Sequence, residues 1–158
     1  MSISSVRAHL EKFGAGDRII EFDTSSATVS LAAAALGTEE ARIAKSIAVY
    51  GKEENSCIIV VTAGDYKLNN AKFKAKFGFK PKMLSSEDTL RLTGHPVGGV
   101  CPFALPEGVR VYLDESLLRF PDIYPAAGSS NSAVRLTCDE LFRFSGALSY
   151  ADLCAPKE

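Results

Sequence analysis

The chain has 158 residues, of which 46% are hydrophobic and 23% charged, and a formal net charge of −1. That length suits one domain (1–158) built on one core, and the composition excludes a disordered chain. The balanced charge excludes a molecule that grips nucleic acid by bulk electrostatics, so any such partner must meet a local patch.

In chain order, "SSVRAHLEKFG" predicts a helix with Val6, Leu10 and Phe13 at helical spacing and Gly14 as its stop. "RIIEF" predicts a short strand, and "SSATVSLAAAALG" a second helix closed by Gly37. "ARIAKSIAVYGKEENSCIIVVTAG" reads as two β-rich runs joined by a polar turn at Gly51–Asn55. "NNAKFKAKFGF" is a third helix, followed by a strand-like "KPKML". "SSEDTLRLTG" opens with Ser85 and Asp88 in capping-box spacing and ends at Gly94. "GVRVYLD" is a strand, "ESLLRF" a short helix, and "DIYPAAG" and "AVRL" are strands separated by "SSNS". "TCDELFRFSG" starts a last helix with Thr137 and Glu140 in capping-box spacing. Short strands that alternate irregularly with helices predict a mixed α/β fold. Its centre is a mixed sheet or a partly closed β-barrel, with helices packed outside.

The cysteines at 57, 101, 138 and 154 show no Cys-x-x-Cys pair and no zinc-type histidine spacing, so no metal is expected. The N-terminus lacks an apolar signal core, and no stretch approaches the roughly twenty apolar residues of a membrane span. A cytoplasmic chain with reduced thiols and no membrane partner is the expectation.

Four places carry residue types suited to chemistry. Lys45 shares the apolar face of a strand with Ile43, Ile47 and Val49. It either snorkels at a strand end or points a cation into a pocket, toward a phosphate or a developing oxyanion. "TGHPVGGVCPFAL", residues 93–105, holds Gly98 and Gly99 between Pro96 and Pro102. Its bare backbone N–H groups suit either a plain structural loop or an oxyanion-binding wall. His95 can act there as a base or shape the loop by hydrogen bonding, and Cys101 is the one thiol placed to pair with it as a nucleophile. "AAGSSNSAVRL" offers Gly128, Ser129 and Asn131 as a pocket edge or a hairpin turn. Finally, "KLNNAKFKAKFGFKPK" carries six lysines and no acid. Lys72, Lys74 and Lys76 within it form either a solvated face or a contact to a phosphate backbone.

The ordered set "AAAALG", "ARIAKSIAVY", "KLNNAKFKAKFG", "LTGHPVGGVCPFAL" and "GSSNSAVRLTCDEL" resembles the YbaK family, the free-standing relatives of the editing domain inserted in bacterial prolyl-tRNA synthetases. The resemblance covers the chain from about the second helix onward. It implies a mixed α/β, barrel-like fold. It also implies hydrolysis of the ester between a wrong, small amino acid and tRNA, most typically tRNA(Pro), without metal or other cofactor. It matches Lys45 to the family's pocket lysine, Gly98 and Gly99 to its glycine loop, and Gly128 to the glycine of the other pocket edge. On that footing Lys45, Gly98 and Gly99 are expected in the catalytic machinery, with His95, Pro102, Gly128, Ser129 and Asn131 around the substrate. The acceptor end of an aminoacyl-tRNA is the implied partner, with an aminoacyl-tRNA synthetase as a further one. The chain departs from the family pattern at His95, where founding members have an aromatic residue, and at Ser129 and Ser130, where they have basic residues. A module of the same fold that binds tRNA or a small ligand without hydrolysis is the alternative.

Overall fold

The computed structural model describes residues 2–157. Helix α1 (Ser2–Glu11) buries Val6 and Leu10 completely and leads into strand β1 (Ile19–Glu21). Phe13 lies beyond the helix end, and its ring is 42% exposed and stacked on Phe144 at 4.6 Å. It therefore caps the core edge instead of extending the helical stripe.

Helix α2 (Val29–Leu36) is shorter than its sequence suggests. Thr28 takes the N-cap, accepting the Leu31 N–H at 3.1 Å, and Gly37 ends the helix in the left-handed region at φ 68°. The residues before Thr28 form an extended strap. Strands β2 (Ile43–Tyr50) and β3 (Cys57–Ala63) pair antiparallel from Ala44↔Ala63 to Tyr50↔Cys57. All seven residues of β3 are buried, as a central strand covered on both faces requires.

Strand β4 (Tyr66–Leu68) precedes helices α3 (Asn70–Phe77) and α4 (Ser86–Thr93), capped by Asn69 and Ser85. Only half of the predicted capping box forms at α4. Ser85 accepts the Asp88 N–H, but the Ser85 N–H donates to the Tyr50 hydroxyl, and the Asp88 carboxylate accepts from Tyr50 and Arg91. Both halves form at α5 (Cys138–Ser145), between Thr137 and Glu140. Before it come β5 (Arg110–Asp114), a 3-10 turn at Glu115–Arg119, β6 (Asp122–Pro125), β7 (Ser132–Val134) and β8 (Leu136–Thr137). After it come β9 (Ser149–Ala151) and β10 (Cys154–Pro156).

The main sheet is six-stranded and curled, in the order β8-β6-β2-β3-β5-β9, with both parallel and antiparallel neighbours. Two short ladders, β1 with β7 and β4 with β10, complete it. On one face, Ala44, Ala48, Ile59 and Val61 pack with α1 and α5 through Leu10, Leu141 and Phe144. On the other, Ile47, Val49, Ile58 and Val60 pack on Phe73 of α3. The mixed, half-barrel sheet with helices outside is the architecture that the sequence predicts.

"KPKML" does not form a strand. It makes a single bridge, Val49↔Met83, flanked by bonds from Tyr50 N–H to the Lys82 carbonyl and from Leu84 N–H to the Ala48 carbonyl. Pro81 has no N–H to extend the ladder.

Candidate functional site

The site grows from an incomplete sheet edge. Strand β6 covers β2 only at Ile43 and Ala44, and the Lys82–Leu84 segment covers it again from Ala48 to Tyr50. Between them opens a cavity of about 510 Å³. Its walls are β2 (Ala44 to Ala48), the start of α2 (Val29, Ala32), Gly98 and Val100, and Ser132 and Ala133 of β7. Exposed Met83 and Val97 form an apolar rim. That size and this mixture of apolar wall with few polar groups match a small-molecule site.

Lys45 lines this cavity and is exposed. The predicted apolar face is split around it. Ile43 packs on α2 while Ile47 and Val49 pack under α3, and Lys45 emerges in the gap. It is the only charged residue among those lining the cavity, and no ion-pair partner for it exists among the described residues. No carboxylate or imidazole is among the lining residues. The lining hydroxyls of Ser26, Thr28, Ser46, Thr89, Tyr124 and Ser132 therefore have no lining carboxylate or imidazole to act as their base.

The two loop glycines divide their work. Gly98 lines the cavity with φ +90°, and a Cβ there would stand 3.2 Å from Ala27 Cβ. Gly99 is buried and does not line it. Its N–H donates to the Pro96 carbonyl at 2.9 Å, so this donor is spent in the turn. Its bare Cα instead lets the loop press against the Gly128–Ser129 backbone, with Ser129 Cα 2.8 Å from where a Cβ would be.

The residues expected around the substrate support the wall from behind. His95 is 1% exposed, and its Nε2 lies 2.7 Å from the Phe103 carbonyl and 3.5 Å from Cys101 Sγ. It lies beneath the loop and is not among the residues that line the cavity, the position of a residue that shapes the loop by hydrogen bonding. Pro102 is buried and does not line the cavity either. Gly128 is buried at φ +96°. Ser129 Oγ sits 2.9 Å from Asn131 Oδ1 and 2.7 Å from Ser132 Oγ, and Asn131 Nδ2 donates to the Phe22 carbonyl at 3.0 Å. Ser129 and Asn131 thus brace this loop against the end of β1 and place Ser132, which does line the cavity.

Burial holds the His95 imidazole below its ordinary value of 6.5, against a weaker raising pull from its bond to the Phe103 carbonyl. Unfolding then takes up a proton as pH falls through 6.5. The contribution to stability is complete above that value and declines below it. A thermal-midpoint profile from pH 7.5 to 5 is expected to fall, and to fall less steeply in His95→Asn.

The Cys101–His95 contact is real, but it is a packing contact. Burial pushes the Cys101 thiol up to about 12, and the thiol is fully buried and does not line the cavity. Burial also raises Cys57 to about 11 and Cys154 to about 12. Iodoacetamide at pH 8 is therefore expected to leave Cys57, Cys101 and Cys154 unmodified in the native protein and to alkylate them once it is unfolded, as read by mass spectrometry.

The lysine-rich helix α3 sits on the sheet face opposite Ala44 and Ala48, and its lysines are not equivalent. Lys72 donates to Asp152 at 2.8 Å and to the Cys154 carbonyl at 3.1 Å, and the Asp152 bond raises its pKa. It ties the start of β10 to α3, so a phosphate contact at this residue would compete with Asp152. Lys76 lies over the Tyr112 ring at 5.2 Å, and Lys74 is exposed.

Sequence reasoning missed the strap before α2. Ser26 N–H donates to the Ser130 carbonyl at 2.6 Å, Phe22 N–H to the Asn131 carbonyl at 2.8 Å, and Ser26, Ala27 and Thr28 line the cavity. The serines and threonine carried a signal, but it read as helix capping, which Thr28 alone performs. No helix among the described residues is long and apolar enough to cross a membrane.

Comparison with known proteins identifies the family. Residues 23–144 match the model of the aminoacyl-tRNA editing domain family. The uncharacterized Bacillus subtilis protein YwhH is 47% identical over 154 residues, covering 98% of each chain. The proline–tRNA ligase of Pelobacter propionicus is 35% identical over 86 residues, which are 54% of this chain and 15% of that protein. A solved structure assigned provisionally as a trans-editing enzyme for prolyl-tRNA synthetase superposes with a TM-score of 0.86 at 31% identity, covering 99% of this chain and 98% of that one. The matched span contains the edge of β2, the glycine loop and the 128–132 brace, and the chain belongs to the aminoacyl-tRNA editing domain family.

Proposed function

We propose that the chain is a trans-editing aminoacyl-tRNA deacylase that cleaves the ester of a small wrong amino acid, most typically on tRNA(Pro), after release from its synthetase. One observation carries the reading. A cavity of about 510 Å³ places one cation, Lys45, without an ion-pair partner among the described residues, on the same largely apolar wall as Gly98, and no carboxylate or imidazole lines it.

An aminoacyl ester is already activated, so such a site needs only to hold it and stabilise charge on its carbonyl oxygen. Water adds to the carbonyl carbon, the ester C–O bond breaks, and the leaving ribose oxygen takes the water's proton, giving free amino acid and tRNA. Where a side-chain group of the substrate adds instead, it passes its proton to the ribose oxygen and leaves as a cyclic ester or thioester, which water then opens to the amino acid. Lys45 fixes the terminal adenosine phosphate or the developing oxyanion, and Gly98 presents its backbone to the carbonyl. Each such contribution is worth several kcal/mol of barrier. Met83 and Val97 offer the rim on which the terminal base rests, and Lys74 and Lys76 remain for the acceptor stem. Gly99, His95, Pro102, Gly128, Ser129 and Asn131 hold this wall in place.

The test is incubation with tRNA(Pro) charged with Ala, Cys, Ser or Thr, and with other mischarged pairs. Ester loss above the spontaneous rate is expected for at least one. Salt-sensitive tRNA binding with no turnover on any of them would replace the enzyme with a non-catalytic binding module.

A further inference from the structure

We propose that Ser46 receives the α-amino group of the aminoacyl ester, an assignment that rests on the deacylase reading above. Ser46 lines the cavity, and its hydroxyl is buried without a hydrogen-bond partner among the described residues. A buried hydroxyl left unpaired is costly, so a group of this kind facing a cavity calls for a ligand.

The backbone of the same residue points to the same place. Along β2, the Ala48 carbonyl and the Tyr50 N–H both bond away from β3, toward Leu84 and Lys82. Backbone groups in a strand alternate with a period of two, so those of Ser46 also point away from β3. They fall in the interval that neither β6 nor the Lys82–Leu84 segment covers. The Ser46 carbonyl and hydroxyl therefore offer two oxygen acceptors at the open edge, and an amine supplies the several N–H donors that match them.

The charges agree with this orientation. No carboxylate lines the cavity, so the amine must be met by neutral oxygens. Lys45 is the adjacent residue, and its side chain leaves the opposite face of the strand. The substrate's anionic side thus meets Lys45 while its amine lies on the other face, away from that cation.

The experiment combines Ser46→Ala with two substrates: the fastest-cleaved aminoacyl-tRNA, and the same tRNA carrying the acyl group without its α-amino group. In the parent, removal of the amine is expected to lower kcat/KM by about tenfold or more. Ser46→Ala is expected to produce a similar loss on the aminoacyl ester and little further loss on the amine-free ester. Its thermal midpoint is expected to stay level or rise, because the substitution deletes an unpaired polar group, and Ser46→Thr should recover part of the activity. Full activity of Ser46→Ala, equal losses on both esters, or a lowered midpoint with unchanged kinetics would overturn the assignment and leave the deacylase reading standing. If no ester is cleaved, binding of stable 3′-aminoacylamide and 3′-acylamide analogues of adenosine decides. Selective weakening of the amino analogue by Ser46→Ala supports the Ser46 contact without the enzyme, and no binding by the parent ends both.

Discussion

A Lys45→Ala variant is expected to fold as the parent does and to lose about 10²–10³-fold in kcat/KM for deacylation, the scale on which removing one preorganised oxyanion donor acts. The two halves of this expectation have separate causes. Lys45 is exposed, lies between two apolar clusters without joining either, and has no ion-pair partner among the described residues, so its removal leaves packing untouched. It is also the only charge among the cavity's lining residues, so nothing nearby replaces it. Lys45→Arg keeps the charge but changes its shape and reach, and a partial recovery is expected. Thermal midpoints equal to the parent's, measured beside the deacylation rates, make the loss functional. A fully active Lys45→Ala would remove Lys45 from the mechanism.

Gly99→Ala is expected to do the reverse, damaging the fold first and the activity through it. The added methyl would lie 2.8 Å from Ser129 Cα, 2.9 Å from Ser129 N and 3.0 Å from Gly128 C. These are backbone atoms, which cannot swing aside as the tip of a flexible side chain does. The glycine loop and the 128–132 brace must separate, at an overpacking cost of about 1–3 kcal/mol. At this chain length each kcal/mol lowers the thermal midpoint by roughly 2–4 °C. Gly98, the next residue, moves with the loop, so kcat/KM falls as well. Gly94→Ala is the control: its φ is +78°, but nothing lies within 4 Å of the added methyl. It is expected to cost only the strain of a left-handed non-glycine residue, about 1 kcal/mol, and to leave the cavity wall in place. Equal midpoints for Gly99→Ala and the parent would mean that the two loops do not bear on one another.

Most of the regular elements were legible in the residues because their signals are local. Caps at Thr28, Asn69, Ser85 and Thr137, left-handed glycines at 37, 78, 94 and 146, and the apolar runs of β2 and β3 each lie within the segment they specify. Strands β4, β9 and β10 are three residues long, too short to show a period, and exist only through their partners. The strand expected at "KPKML" shrank to one bridge for the complementary reason: its residues favour extension, but only the end of β2 is free to receive them.

The sequence by itself determined the mixed α/β character, the order of the motifs and the presence of an anomalous lysine beside a glycine-rich loop. Only the tertiary structure decided which residues of those motifs face the cavity. Gly98 faces it while Gly99 serves the Ser129 backbone, and Lys45 emerges while Lys72 is taken by Asp152. His95 and Cys101 lie beneath the loop, whereas Ser26 and Ser46, unremarkable as text, line the wall. The reason is range. A cap or a strand period is set by neighbours a few residues away, whereas the orientation of a wall residue is set by partners such as Ser26 with Ser130, 104 residues apart.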